Sequence, residues 1–213
     1  MKPLEAYPPP TNLVDLRKTS AQSHHGYATR SRPWSTIVGI TLHQTACVLG
    51  ERASRWKTVG AHYGVTRAGQ VIWLHDENRI VVHGNAFNGK YVGIEVDGLY
   101  CGVEGRPDTV WNDPTTKIRE QGQTLTMEAQ HASWELIRFI CSNVAKNGGE
   151  VTRLVAHRQS SMTRQNDPGE APWKGIALPM IAELGLNDGG DGYVAGGRPI
   201  PVEWDPSRTR HRY

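Results

Sequence analysis

The chain has 213 residues, 38% of them hydrophobic, 21% charged and 8% aromatic. That is enough for one large domain with extensions and a core that needs neither disulfide nor metal to hold it. Its 24 Lys and Arg against 21 Asp and Glu leave a charge of +3, far short of the dense basic stripe of a dedicated nucleic-acid binder, although a mildly basic surface suits an anionic polymer. Cys47, Cys101 and Cys141 are odd in number and widely spaced, which excludes a disulfide scaffold.

In chain order, residues 1–34 contain the Pro8-Pro9-Pro10 run and the polar stretch SAQSHHGYATRSRP, with almost no apolar periodicity; an extended arm is expected there. STIVGITLH from Ser35 is a β-branched run suited to a buried strand. AHYGVT and QVIWLH follow as a hairpin, joined by Arg67-Ala68-Gly69, and YVGIEVDG is a further strand. Residues 101–123 are expected to be irregular. TMEAQHASWELIRFICSNVAKNGG is the clearest helix: Ala129, Ser133, Leu136, Ile137, Ile140 and Val144 recur at helical steps, Thr126 caps the start, and Asn147-Gly148-Gly149 ends it. TRLVAH is a last strand and WKGIALPMIAELG a last helix, which Pro179 should kink or restart. Residues 187–213, rich in Gly, Pro and Arg, read as a tail that wraps the domain or trails from it. The pattern places the chain in the α/β class, a central mixed β-sheet flanked by helices with extended N- and C-terminal arms around a domain over 35–186.

Nine histidines invite a metal reading, but H-E-x-x-H and paired Cys-x-x-Cys signatures are absent. His43 and His157 each end a predicted strand, where open α/β sheets place their ligand crevice. Asp167, in an Asp-Pro-Gly turn ten residues after His157, could point a carboxylate back at that strand end. Two imidazoles and one carboxylate leave a fourth position open, as in catalytic zinc. A strand-end His is more often a structural hydrogen-bonding residue, and spacing alone does not name ligands. Cys47 reads as a small buried apolar residue rather than a ligand. His75 and Asp76 read as turn residues, His131 as a solvated helix residue, and Arg208, Arg210, His211 and Arg212 as a solvated basic cluster.

TLHQTA at 41–46, HYGVTRAGQVIWLHDEN at 62–78, VHGNAFNGKYVGIEVDG at 82–98 and LVAHRQSSMTRQNDPG at 154–169 occur in the order and spacing of the zinc-dependent N-acetylmuramoyl-L-alanine amidases, a group that includes phage lysozyme-type amidases, muropeptide amidases and peptidoglycan-recognition proteins. The resemblance covers residues from about 35 to 185. It implies that His43, His157 and Asp167 hold Zn2+ and that Glu95 falls where the muropeptide amidases carry a catalytic carboxylate. Read from its own chemistry, a carboxylate beside the attacking water can take its proton and pass it to the departing nitrogen; without the resemblance, Glu95 reads rather as an outward-facing strand residue paired with a Lys or Arg. The resemblance also implies that His83 lines the substrate groove next to Asn85 and Asn88. Of the neighbouring pair His62 and Tyr63, one should face that groove and the other the core. Many members place a Lys two residues before the third ligand, where this sequence has Gln165 with Arg164 beside it. Either Gln165 suffices, Arg164 swings in, or the rate is lower.

The expectation is therefore zinc-dependent hydrolysis of the amide between N-acetylmuramic acid and L-alanine in peptidoglycan, by a phage or prophage endolysin. The alternatives are a non-catalytic peptidoglycan-binding module and a cytosolic muropeptide-recycling amidase. The expected partner is peptidoglycan or a muropeptide, with no nucleic acid, no membrane insertion and a monomeric chain. The opening MKPLEAYPPPTNLVDLRK lacks the features of a signal peptide, so synthesis in the cytoplasm is expected, with action on the wall after release. No catalytic candidate lies in the arms, which are expected to be dispensable for chemistry.

Overall fold

Short runs of Val, Ile and Thr become strands because branched side chains pack well on a pleated surface. In the computed structural model, which describes residues 7–21, 23–24, 27–28, 30–111 and 122–213, the strands are β1 (Leu13–Asp15), β2 (Ser23–His24), β3 (Tyr27–Ala28), β4 (Arg30–Ser31), β5 (Gly39–Gln44), β6 (Tyr63–Val65), β7 (Val71–Trp73), β8 (Arg79–Ile80), β9 (Tyr91–Val96) and β10 (Arg153–Ala156). Six of these form one sheet in the order β1-β7-β6-β9-β5-β10. All neighbours run parallel except β6 and β7, the expected hairpin, whose turn places Gly69 at φ +80°. The mixed sheet and α/β class expected from the sequence are present.

One face of the sheet lies under helix α1 (Met127–Lys146), whose Thr126 cap accepts a hydrogen bond from Ala129 N at 3.2 Å. The helix buries Ala129, Leu136, Ile137, Ile140 and Val144 against Ile40, Leu42, Val92, Ile94 and Val96. Alternation along the strands therefore sends Thr41, His43, Gly93 and Glu95 to the opposite face. A second helical segment runs from Glu170 to Leu184 with a π turn over Trp173–Ala177. Pro179 has no N–H to offer the turn before it, and Trp134 Nε1 of α1 donates to the Gly175 carbonyl at 3.0 Å instead. The helix adjusts at this proline rather than breaking.

The N-terminal segment departs from expectation, and the C-terminal one takes the wrapping course. Residues 13–15 are not arm but β1, paired in parallel with β7 at one edge of the sheet. At the other edge Asn187 bridges β10, accepting from Leu154 N and donating to Thr152 O, each at 3.0 Å. Beyond it the chain wraps the domain, with Ile200 and Trp204 buried. Arg208 does not belong to a solvated cluster: it is held between buried Asp188 and Asp205. Arg210 and Arg212 are exposed, at 75% and 86%. Cys47, expected to be buried, is exposed, because it sits on the loop after β5 rather than in the sheet. Residues 101–111 are irregular apart from a short turn at Pro107–Thr109; residues 112–121 of that stretch lie outside the described residues. Among the described residues, no helix is long and apolar enough to cross a membrane.

Candidate functional site

Parallel pairing sets side by side the residues that end each strand. His43 on β5 is the register partner of Glu95 on β9. Ala156 on β10 pairs with Leu42, so His157, the next residue, arrives beside His43. All three lie on the face away from α1, toward the carboxyl ends of the strands. Asp167 joins them from the loop after His157. Its Oδ1 accepts from Gln44 N at 3.0 Å, while its Oδ2 lies 2.9 Å from His157 Nδ1 and 3.9 Å from His43 Nδ1.

His43 Nδ1 and His157 Nδ1 are themselves 3.0 Å apart. A tetrahedral zinc bound at about 2.0–2.1 Å needs donors about 3.3 Å apart, and the three separations bracket that value. Among the described residues this is the one group of His, Cys and carboxylate side chains able to hold a metal ion. Burial, then the neighbouring His157, pushes the His43 imidazole down to about 4, which leaves it neutral with a lone pair to donate. Burial opposes ionisation of Asp167, but His157 and His43 hold its carboxyl well below the usual carboxylate range. The donor set thus fits a catalytic zinc site.

Behind His43 stands a second imidazole. His43 Nε2 lies 3.0 Å from His83 Nδ1, and His83 Nε2 lies 3.3 Å from the Tyr91 carbonyl. One proton arrangement satisfies both contacts: His43 Nε2–H donates to His83 Nδ1 and His83 Nε2–H donates to Tyr91 O, which frees His43 Nδ1 for metal. Gly93 makes room for this ring, since a Cβ there would lie 2.7 Å from it. Both His83 nitrogens are therefore engaged by protein, while the ring borders the cleft. His62 is the member of its pair on the site face, yet it does not reach the cleft. It is fully buried, its Nδ1 accepts from Gly93 N at 2.9 Å, and its Nε2 donates to Arg79 O at 2.9 Å.

The cleft has a volume of about 290 Å3 and is lined by Gln44, Asn85, Glu95, His157, Arg164 and Asp167, among others. Burial, then the Asp167 carboxylate, pushes the Glu95 carboxyl well above its ordinary value, and Arg164 counters them. Glu95 Oε2 has no protein hydrogen-bond partner. Arg164 lies over the Trp111 ring at 5.6 Å, and its charge acts on both His43 and Glu95. Gln165 is exposed and does not line the cleft. Asn85 sits at the rim, with Nδ2 donating to Ser160 O at 3.3 Å. Asn88 shapes the loop instead, its Oδ1 accepting from His83 N and Gly84 N at 2.8 and 2.6 Å.

Two residues of this site went unread in the sequence. Gln44 ties β5 to the Asp167 loop: its Nε2 donates to the carbonyls of Asn166 and Pro168, and its Oε1 accepts from Tyr100 N. Arg158, adjacent to His157, is 3% exposed. Their partners are backbone groups of loops, and a lone Gln or Arg carries no local signal of such a role.

The sequence profile of the N-acetylmuramoyl-L-alanine amidases (Amidase_2) matches residues 33–170, and the chain belongs to this amidase family. No curated protein sequence matches it significantly. Among solved structures, the endolysin N-acetylmuramoyl-L-alanine amidase LysCS from Clostridium intestinale URNW is similar at 17% identity and a TM-score of 0.52, covering 83% of this chain and 97% of that one. Drosophila peptidoglycan recognition protein SD is similar at 16% identity and a TM-score of 0.53, covering 79% and 92%. Drosophila PGRP-LB is similar at 16% identity and a TM-score of 0.51, covering 81% and 91%. These likenesses establish a shared fold.

Proposed function

We propose that this amidase is a zinc-dependent hydrolase of the bond between N-acetylmuramic acid and L-alanine in peptidoglycan, with Glu95 as its acid–base residue. The observation that carries the reading is the placement of Glu95 beside a three-donor cluster at the base of one cleft. His43, His157 and Asp167 would hold the zinc, which when bound polarises a carbonyl and acidifies water.

The chain's own groups supply the rest. Glu95 takes a proton from the attacking water and returns it to the leaving nitrogen. A carboxyl held up by burial suits that exchange better than an exposed Glu. Arg164, rather than Gln165, is the cation that faces charge developing on the carbonyl oxygen. His83 holds His43 in the tautomer that leaves Nδ1 free, and Asn85 is the rim residue available to a sugar or peptide amide.

The cleft also bears on the alternative of a non-catalytic binding module. Such a module needs the groove but has no use for an ionisable carboxyl beside three convergent donors. For the biological setting we favour lytic action on intact wall, as in the Clostridium endolysin with the same fold, over processing of soluble fragments. Incubating the purified protein with sacculi and with soluble muropeptides, followed by mass spectrometry of the products, tests both points. New L-alanine amino termini on sacculi support the reading; intact substrates with zinc bound would reduce the protein to a binder.

A further inference from the structure

The family match stops at residue 170, yet residues well beyond it grip the loop that carries two of the three metal-site donors. Arg158 follows His157 directly. Its backbone N donates to the Asp167 carbonyl at 2.9 Å, and its Nη1 donates to the Gln165 carbonyl. It thus joins the two ends of the His157–Asp167 loop. The guanidinium lies against two neighbouring aromatic rings of the C-terminal segment, 4.8 Å from the centroid of Trp204 and 5.2 Å from that of Tyr213. Trp204 is fully buried, anchored by its Nε1 to the Gly102 carbonyl.

The backbone of the same segment adds three bonds. Arg198 N donates to Arg158 O at 2.7 Å, and Ala195 N and Gly197 N donate to Gln159 O at 2.6 and 3.1 Å. Burying a guanidinium is costly unless it is paired; here Nη1 reaches a loop carbonyl and the planar group lies against two rings, while Nε has no hydrogen-bond partner.

We infer that Arg158 is a positioning residue for His157 and Asp167, and that Trp204 and Tyr213 act on the metal site through it. The inference rests on the proposed ligand role of His43, His157 and Asp167. Donors on one loop bind tightly when the loop is already closed, because ordering it on binding would subtract from affinity.

The test measures Zn2+ affinity of the full-length protein by competition with a chromophoric chelator, alongside thermal unfolding of the metal-free forms. The variants are Arg158→Met, which keeps an unbranched stem and removes the donor, Trp204→Leu, the double variant, and exposed Arg212→Ala as a control. Arg158→Met should weaken zinc binding about ten- to a hundredfold, the usual effect of losing a residue that orients a ligand. Trp204→Leu should weaken it too, and should add nothing in the Arg158→Met background. Arg158→Lys should recover part of the loss, and it carries the comparison if Arg158→Met does not fold.

Parental zinc affinity in Arg158→Met, with only the melting temperature lowered, would overturn the inference and leave the ligand assignment intact. Failure of the parental protein to bind zinc would overturn the ligand assignment and the inference with it. Full additivity of the two substitutions would overturn the route from Trp204 through Arg158.

Discussion

Glu95 stands directly across from His43 in the parallel register of β9 and β5, on the face of the sheet away from α1. A backbone ladder fixes that relation, so the carboxyl and the imidazole keep their spacing whatever the surrounding loops do. This is the kind of rigid support that acid–base chemistry next to a metal donor requires.

Substituting Glu95→Gln preserves shape and removes the proton acceptor. Turnover should fall about a hundred- to ten-thousandfold, the usual contribution of a positioned acid–base group, while zinc content and substrate binding persist. Kinetics with a defined muropeptide, read beside elemental analysis, check this. A variant that cleaves at the parental rate with zinc bound would make Glu95 a structural strand residue.

His43→Ala and His157→Ala should each lose zinc and activity together. His83→Ala should keep the metal but bind it about ten- to a hundredfold more weakly, since it removes the group that orients His43 without removing a donor. Chelator titration separates the two outcomes. Equal affinities for His83→Ala and the parental protein would leave His83 without an orienting role.

Arg164 lowers the ionisation point of Glu95, whereas burial and Asp167 raise it. Because Glu95 accepts a proton only when ionised, activity should rise with pH as the carboxyl ionises. Arg164→Met lifts an opposing influence, so the acid limb of the kcat profile should move to higher pH and the plateau should fall with the loss of the cation. A lowered plateau with an unmoved limb would show that Arg164 does not act on Glu95.

Glu77 offers a stability test away from the site. It is buried, with Oε1 accepting from Tyr63 Oη at 2.7 Å and Asn143 Nδ2 at 2.9 Å, and burial raises its carboxyl above the ordinary value. The folded state then holds a proton that the unfolded state gives up near its ordinary value of 4.5. The stability this group contributes is present below that value and is lost as pH rises toward the folded one. Glu77→Gln should remove that decline, so urea unfolding should show the variant gaining on the parental protein between acid and neutral pH. A constant difference across pH would refute the assignment.

The strands around the site were legible because branched runs such as GITLH and YVGIEV can bury themselves only in a sheet, and α1 because its apolar residues recur with the helical period. Their register was not, and register is what sets Glu95 beside His43. His62 and His83 share the site face with His43, but whether an imidazole meets substrate or a backbone carbonyl depends on residues such as Gly93 and Tyr91, on a strand whose register the sequence does not give. β1 was missed because a three-residue strand is too short to show alternation. Whether the C-terminal segment wraps or trails was left open by the sequence because its grip comes from single aromatics and backbone donors separated by glycines.

The two ends of the sheet share a further property. β1 covers the outer side of β7, and Asn187 covers the outer side of β10, so each terminal segment occupies a row of backbone groups that would otherwise invite another chain to pair. Trimming the protein to residues 30–190 would remove β1 and bare the outer side of β7, so self-association in light scattering should accompany the weaker zinc binding expected from the loss of Trp204 and Tyr213. The termini that close the two edges of the sheet thus also govern how readily copies of this chain pair with one another.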